Sequence, residues 1–319
     1  MTAAVPAAGR PRPAAVRWRC LAWATWRQHR AASAAFTAVA GVIALAMAVT
    51  GFALHPYGAE VFAAGPHAPW RLYDVTGTTL VPALLLLPAL AGLFLGAPLV
   101  ARDYETGAAR FAWVQGASRV RCLAAAVLAD AVLLAITATV LGLEFRWWIT
   151  PLSLPRSGWL PDLFSVSPLP FLGWMMFGFS LGVFLGAAAA RTVAAMAATF
   201  ACYAALWYGV STSWRQGYLA PLHRAVAVHI SDGGYTWSYE PRRFAWVLSS
   251  YLGWPGGRPF RGSLHHPAAW YSRRHIELWL SYQPASRLGT FQLIESGWLV
   301  ALAAVLAAAT FVLISRRAA

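Results

Sequence analysis

Most apolar positions in this chain do not recur at helical or strand intervals; they gather in long runs. Six such runs stand out: Ala31 to Leu54, Thr78 to Val100, Leu123 to Leu143, Pro168 to Ala190, Val193 to Val210 and Phe291 to Ile314. A bilayer core takes about 20 apolar residues per helix, so the pattern predicts six transmembrane helices. Only Arg191 and Thr192 part the fourth run from the fifth, which predicts a tight turn. Merged, these two runs would hold about 40 residues, too many for one crossing. The chain therefore divides into a basic flank (1–30), five spans (31–210) with a polar loop at 102–122, a long connecting segment (211–290), and a last span with its tail (291–319).

Composition agrees with that division. Hydrophobic residues make up 59% and charged residues 11%, where a soluble globular chain carries about 25% charge. The charge cannot cover a water-facing surface, and the fold class expected is an all-α integral membrane protein. Every one of the 25 basic residues is Arg, against 11 acids, for a net charge of +14. Without Lys there is no Walker A loop and no Schiff-base amine, so this chain is not a P-loop ATPase by itself. Cys20 and Cys122 lie in basic flanks and Cys202 in an apolar run, so no disulfide framework is expected.

The Arg residues also set an orientation. With both termini cytoplasmic, the inner pieces hold 13 Arg and the short outer loops three, Arg71, Arg146 and Arg156. The nine between Ser211 and Thr290 fall in a segment too long for the positive-inside rule to count. The first apolar run is longer than a signal-peptide core and reads as an uncleaved anchor. Just before it, Trp18, Leu21, Ala22, Thr25 and Trp26 share a helical face opposite Arg, a pattern that suits an N-terminal interfacial helix or a plain basic flank.

Several polar signals need an account. The inner loop opens with Asp103 and Glu105 and ends with Arg119 and Arg121, while Tyr104, Ala108, Phe111 and Val114 recur at helical spacing. That predicts a short amphipathic helix under the membrane, either a transmitter of motion or an inert connector. Gly178, Gly182 and Gly186 form a small-residue stripe in the fourth span, and Gly92 with Gly96 repeats it in the second; such stripes serve close helix packing. Gly178-Phe179-Ser180-Leu181-Gly182 also matches G-x-S-x-G, but that elbow needs a strand-to-helix turn and this match lies inside an apolar run. No catalytic residue is assigned.

Asp130 lies within the third span, where an ionised carboxylate costs about 3 kcal/mol or more. It is expected to face the bundle or a wet cavity, paired with Arg191 or serving as a substrate or proton site. Glu295, at the mouth of the sixth span, is placed to pair with Arg287. None of the eight His shows zinc-ligand spacing, and no metal is expected. The segment 211–290 holds twelve Trp and Tyr, as suits an extracytoplasmic subdomain at the aromatic belt of the outer leaflet or a substrate platform. Its outer location argues against nucleic acid.

Three stretches carry a resemblance. An acid-x-acid-x-Gly run after the second span (Asp103, Glu105, Gly107) leads into an amphipathic stretch ending in Ser118-Arg119. Thr25-Trp26-Arg27-Gln28-His29-Arg30 precedes the first span, and Tyr282-Gln283-Pro284-Ala285-Ser286-Arg287 with Phe291-Gln292 and Ile294-Glu295 marks the sixth. In order and layout these resemble the permease subunits of ABC-2 type transporters, in a branch common in GC-rich bacteria. The resemblance implies a multi-pass bacterial plasma-membrane protein that forms the translocation path of an ATP-driven exporter. It also implies a second permease chain, identical or not, and a separate ABC ATPase that binds the ATP, the permease holding no cofactor. The coupling element would be Arg102, Asp103, Tyr104, Glu105, Gly107, Arg110 and Phe111. The rival readings are a secondary transporter with an ion site at Asp130, using the Pro-interrupted second span, and a membrane sensor or scaffold that moves nothing.

Overall fold

A computed structural model describes residues 18–57, 68–105, 119–150, 161–231, 234–237, 245–261, 270 and 273–318. Among them, six helical stretches are long and apolar enough to cross a bilayer: Arg30–Tyr57, Asp74–Glu105, Leu123–Ile149, Pro168–Ala189, Thr192–Gly217 and Ala285–Arg317. The chain is thus the mainly helical, six-span membrane protein that its apolar runs predict. Successive spans alternate in direction, giving the bundle two ends. One gathers Glu105, Thr192 and Arg317; the other carries the segment between the fifth and sixth spans.

The first helix, α1 (Trp18–Leu54), is continuous. No Gly or Pro interrupts it before Gly41, so the stretch assigned to an interfacial helix runs straight into the first span instead of breaking from it. The second span is composite: α2 (Ala68–Leu90), a π-helical turn over Ala91–Gly96, then α3 (Ala97–Glu105). Pro82 and Pro88 sit inside α2. Each removes a backbone donor from the helical ladder, and the widened turn begins three residues after Pro88.

The third span belongs to α4 (Arg119–Ile149), a short helix α5 (Pro161–Val166) precedes the fourth, α6 (Pro168–Ala189), and the fifth begins as α7 (Thr192–Gly209). Helix α6 is the central pillar, with 67% of its apolar window buried, against 22–28% for the first, third, fifth and sixth spans. The two glycine stripes meet here. A Cβ on Gly182 would collide with the carbonyl of Gly92, one on Gly178 with that of Pro88, and one on Gly96 with that of Phe179. A Cβ on Gly186 would strike the carbonyl of Ala97, and one on Gly92 that of Gly178. Backbone therefore lies on backbone along the whole seam, within one chain.

Between α6 and α7 the chain turns in two residues. Ala190 caps α6 in the left-handed region (φ 52°) and donates its N–H to Gly186 O, while Arg191 is extended. A non-glycine residue in this conformation costs about 1–2 kcal/mol. Ala190→Gly should therefore raise the thermal midpoint in detergent by relieving about 1 kcal/mol, an effect that a thermal melt of the purified protein resolves.

The fifth span does not stop at Val210, where its apolar run ends. It continues through a π-helical turn, Val210–Trp214, and a 3-10 turn, Arg215–Gly217. The following segment forms an antiparallel sheet of β1 (Leu222–Ser231), β2 (Gly234–Trp237), β3 (Ala245–Gly253) and β4 (Glu277–Pro284), in the order β2-β1-β4-β3. From the sequence alone, no strands are expected in this subdomain. Along β4, buried Leu278 and Leu280 alternate with half-buried Glu277 and Trp279, and Val226, Leu278 and Leu280 form a small core of the sheet's own. Leu222 pairs with Tyr282, and β4 leads into α8 (Leu288–Ala318), the helix of the sixth span.

Candidate functional site

At the first end of the bundle, four helix termini are tied together. The Glu105 carboxylate, at the end of α3, accepts from the backbone N–H of Thr192 (2.8 Å) and from its hydroxyl (2.6 Å). It thus caps the N-terminus of α7, where unpaired N–H groups and the helix dipole favour an anion. Arg317, in the last turn of α8, donates to the carbonyls of Ala187 (2.6 Å) and Ala188 (3.3 Å), the C-terminal carbonyls of α6. Its guanidinium also lies 5.8 Å from the ring centre of Tyr104, which packs on the main core. The α3 end is thus bonded to the start of the fifth span and lies beside Arg317 of the sixth, while α3 itself packs directly on α6 at Ala97 and Gly186.

Of the residues assigned to coupling, Arg102, Asp103, Tyr104 and Glu105 form this last turn of α3. Gly107, Arg110 and Phe111 lie outside the described residues. Arg191 is exposed in the α6–α7 turn and belongs to this same end. It does not meet Asp130. The latter is buried and accepts from the hydroxyl of Ser33 in the first span (3.2 Å). Asp130 lies eleven residues into α4, about 16 Å along its axis, deeper than a guanidinium at the turn reaches.

The second site lies at the sheet end and is built around Glu295. Arg215 meets it in a two-pronged ion pair: Nε donates to Oε2 and an Nη to Oε1, both at 2.8 Å. The two side chains are 1% and 0% exposed. The same Nη donates to the Ser165 hydroxyl (2.9 Å), and the guanidinium stacks 4.3 Å over the Phe164 ring. Glu295 also accepts from the indole N–H of Trp174 (2.9 Å) and from the hydroxyl of Tyr218 (3.2 Å). Trp298 in turn donates to Tyr218 (3.2 Å). Burial first, and then the nearby Glu295 charge, push the Tyr218 hydroxyl above its ordinary pKa, so it stays a donor.

The anticipated Glu295–Arg287 pair is therefore corrected. The two are eight residues apart, and helix side chains meet at three or four. Arg287 instead reaches back four residues to Gln283 (2.9 Å) and across to the Ala220 carbonyl (2.8 Å). The rest of that C-terminal motif joins the same assembly. Gln283 donates to the Leu219 carbonyl (2.7 Å), Gln292 to the Ser167 hydroxyl (3.2 Å), and Phe291 packs on Phe164. Arg215, Trp174, Ser165, Tyr218 and Trp298 were missed. Trp174 and Trp298 carried a signal: an indole N–H inside an apolar run needs an acceptor.

A family model described as ABC-2 membrane transporter related matches residues 37–215, more than half of the chain. The chain belongs to the ABC-2 membrane transporter related family. No curated protein and no solved structure matches it. As an ABC-2 related permease it is a membrane transporter protein, and the match runs from the first span to Arg215. Both terminus clamps except Arg317 fall inside it, whereas the sheet and Glu295 fall outside.

Proposed function

We propose that the chain is the path-forming subunit of an ATP-driven exporter, acting as one of a pair and coupled to a separate ATPase. The observation that carries this reading is the terminus clamp. Tyr104 and Glu105 close the second span where the inner loop begins, and they hold the fifth span by its first residue and the sixth through Arg317. A protein that pushes on that loop would move these three spans and, through the glycine seam and Arg317, the central helix as well. With no Lys for a phosphate loop, the push comes from another chain. Its contact would be a helix-in-groove mode with Phe111 as apolar anchor and Asp103, Glu105 and Arg110 at the rim.

Phe111→Ala should leave membrane abundance unchanged and sharply reduce recovery of the ATPase in a pull-down, since buried anchors dominate such contacts. Glu105→Gln should weaken recovery mildly and in a salt-dependent way. Undiminished recovery, even with residues 103–110 replaced by Gly and Ser, would remove the coupling mechanism. Both termini and the loop are assigned to the cytoplasm. Gly116→Cys and Arg258→Cys, each as the single cysteine, should then label from opposite sides of intact cells. Labelling of both by an impermeant maleimide from outside would overturn the orientation.

A further inference from the structure

We infer that the Arg215–Glu295 pair is the moving half of a latch: its grip on Trp174 of α6 and Ser165 of α5 holds the sheet ends of the fifth and sixth spans against the fourth, and breaking those two contacts opens this end of the path. The inference rests on the transporter reading and goes beyond it to a moving part. Three observations converge. The pair is fully buried yet ionic, and such pairs often contribute little net stability over an apolar replacement of similar volume. Its partners come from separate elements: Ser165 of α5, Trp174 of α6, Arg215 at the end of the fifth span and Glu295 of α8. And the backbone beside each charge is soft.

That softness has a sequence basis. Arg215 directly follows the π-helical turn Val210–Trp214, a geometry weaker than the α-helix and frequent at functional sites. Gly209 precedes that turn, and Gly297 lies two residues beyond Glu295 in the interior of α8. The seam glycines are forced by backbone contact, but no described atom lies within 4 Å of a Cβ built at Gly209 or Gly297. Packing does not require glycine at either place, and what it supplies there is freedom of the backbone. Each of the two lies on the bundle side of its charged partner. Bending at both would carry Arg215, Tyr218, Glu295 and the sheet between them away from α6 as one unit, because Gln283 and Arg287 tie the sheet to the ends of both spans.

The test is a distance measured between spin labels at Leu169 and Gln216, both exposed. The chain is reconstituted alone in lipid nanodiscs, with Cys20, Cys122 and Cys202 replaced. The unaltered latch should give one short distance. Glu295→Gln, which keeps the shape and removes the charge, should raise a second, longer distance roughly tenfold from its minor population. Adding Gly209→Ala and Gly297→Ala should suppress that second distance, a rescue that a merely structural pair would not show. If Glu295→Gln fails to assemble, Ser165→Ala is read the same way, since it removes one hydrogen bond from Arg215 and leaves both charges. A single unchanged distance in the assembling variant, or a second distance indifferent to the alanines, would overturn the latch. Transport and ATPase binding play no part in the reading, so its failure leaves the permease function standing, and failure of the pull-down leaves the latch standing.

Discussion

Glu295→Ala should destabilise the protein by about 3–5 kcal/mol, the usual cost of stripping one partner from a buried ion pair. Arg215 would be left charged at 1% exposure, and the Trp174 indole and the Tyr218 hydroxyl would both lose their acceptor. Cation stacking on Phe164 and the Ser165 hydroxyl compensate for a small part of that. Removing both charges should be far milder. Arg215→Met together with Glu295→Gln leaves an acceptor for Trp174 and no orphan charge, and apolar replacement of a buried pair is often close to neutral. Thermal melts of the three proteins in one detergent check this. The double variant should recover most of the loss, because groups in contact do not add. A double variant as unstable as Glu295→Ala would mean that the attraction, and not the orphaned charge, accounts for the effect.

The spans were legible in the sequence because hydrocarbon leaves so few options. A run of apolar residues of the right length must be a helix, since every backbone polar group has to be paired internally. The span ends were less so. Val210 ends an apolar run, yet the helix carries on to Gly217, because Arg215 is drawn inward by an acid 80 positions further along the chain. The need for a partner at Asp130 and Glu295 could be read from the cost of burying them. The identity of the partner could not, since Ser33 and Arg215 are brought there only by the packing of whole helices. The same holds for Glu105: its place after the second span marked it, but its role as the cap of α7 depends on a two-residue turn that sets Thr192 beside it. The sheet was hidden for another reason. Among the described residues, its strands bury a small core, Val226, Leu278 and Leu280, too few to print a clear alternation on an aromatic-rich stretch.

The glycine seam supplies the other large effect. Small-residue spacing in the second and fourth spans was visible, but the distinction among glycines was not, and it yields opposite expectations for the same substitution. At Gly182 an added methyl group would overlap the Gly92 carbonyl and crowd the Ala97 nitrogen. Neither can yield as a flexible side chain would, because both belong to helical backbone. The second span must then move away from α6, breaking contact along Gly92, Gly96, Gly178 and Gly186 together. Overpacking of a well-fitted interior costs about 1–3 kcal/mol, and backbone against backbone belongs at the top of that range. Gly182→Ala should therefore lower membrane abundance and the thermal midpoint markedly, and Gly182→Leu should abolish accumulation. Gly297→Ala meets open space and should stabilise the helix by about 0.5–1 kcal/mol. The two alanine variants, expressed side by side and melted in the same detergent, should move in opposite directions. Equal and small shifts would mean that the second and fourth spans are not in backbone contact, and the bundle would need a different centre.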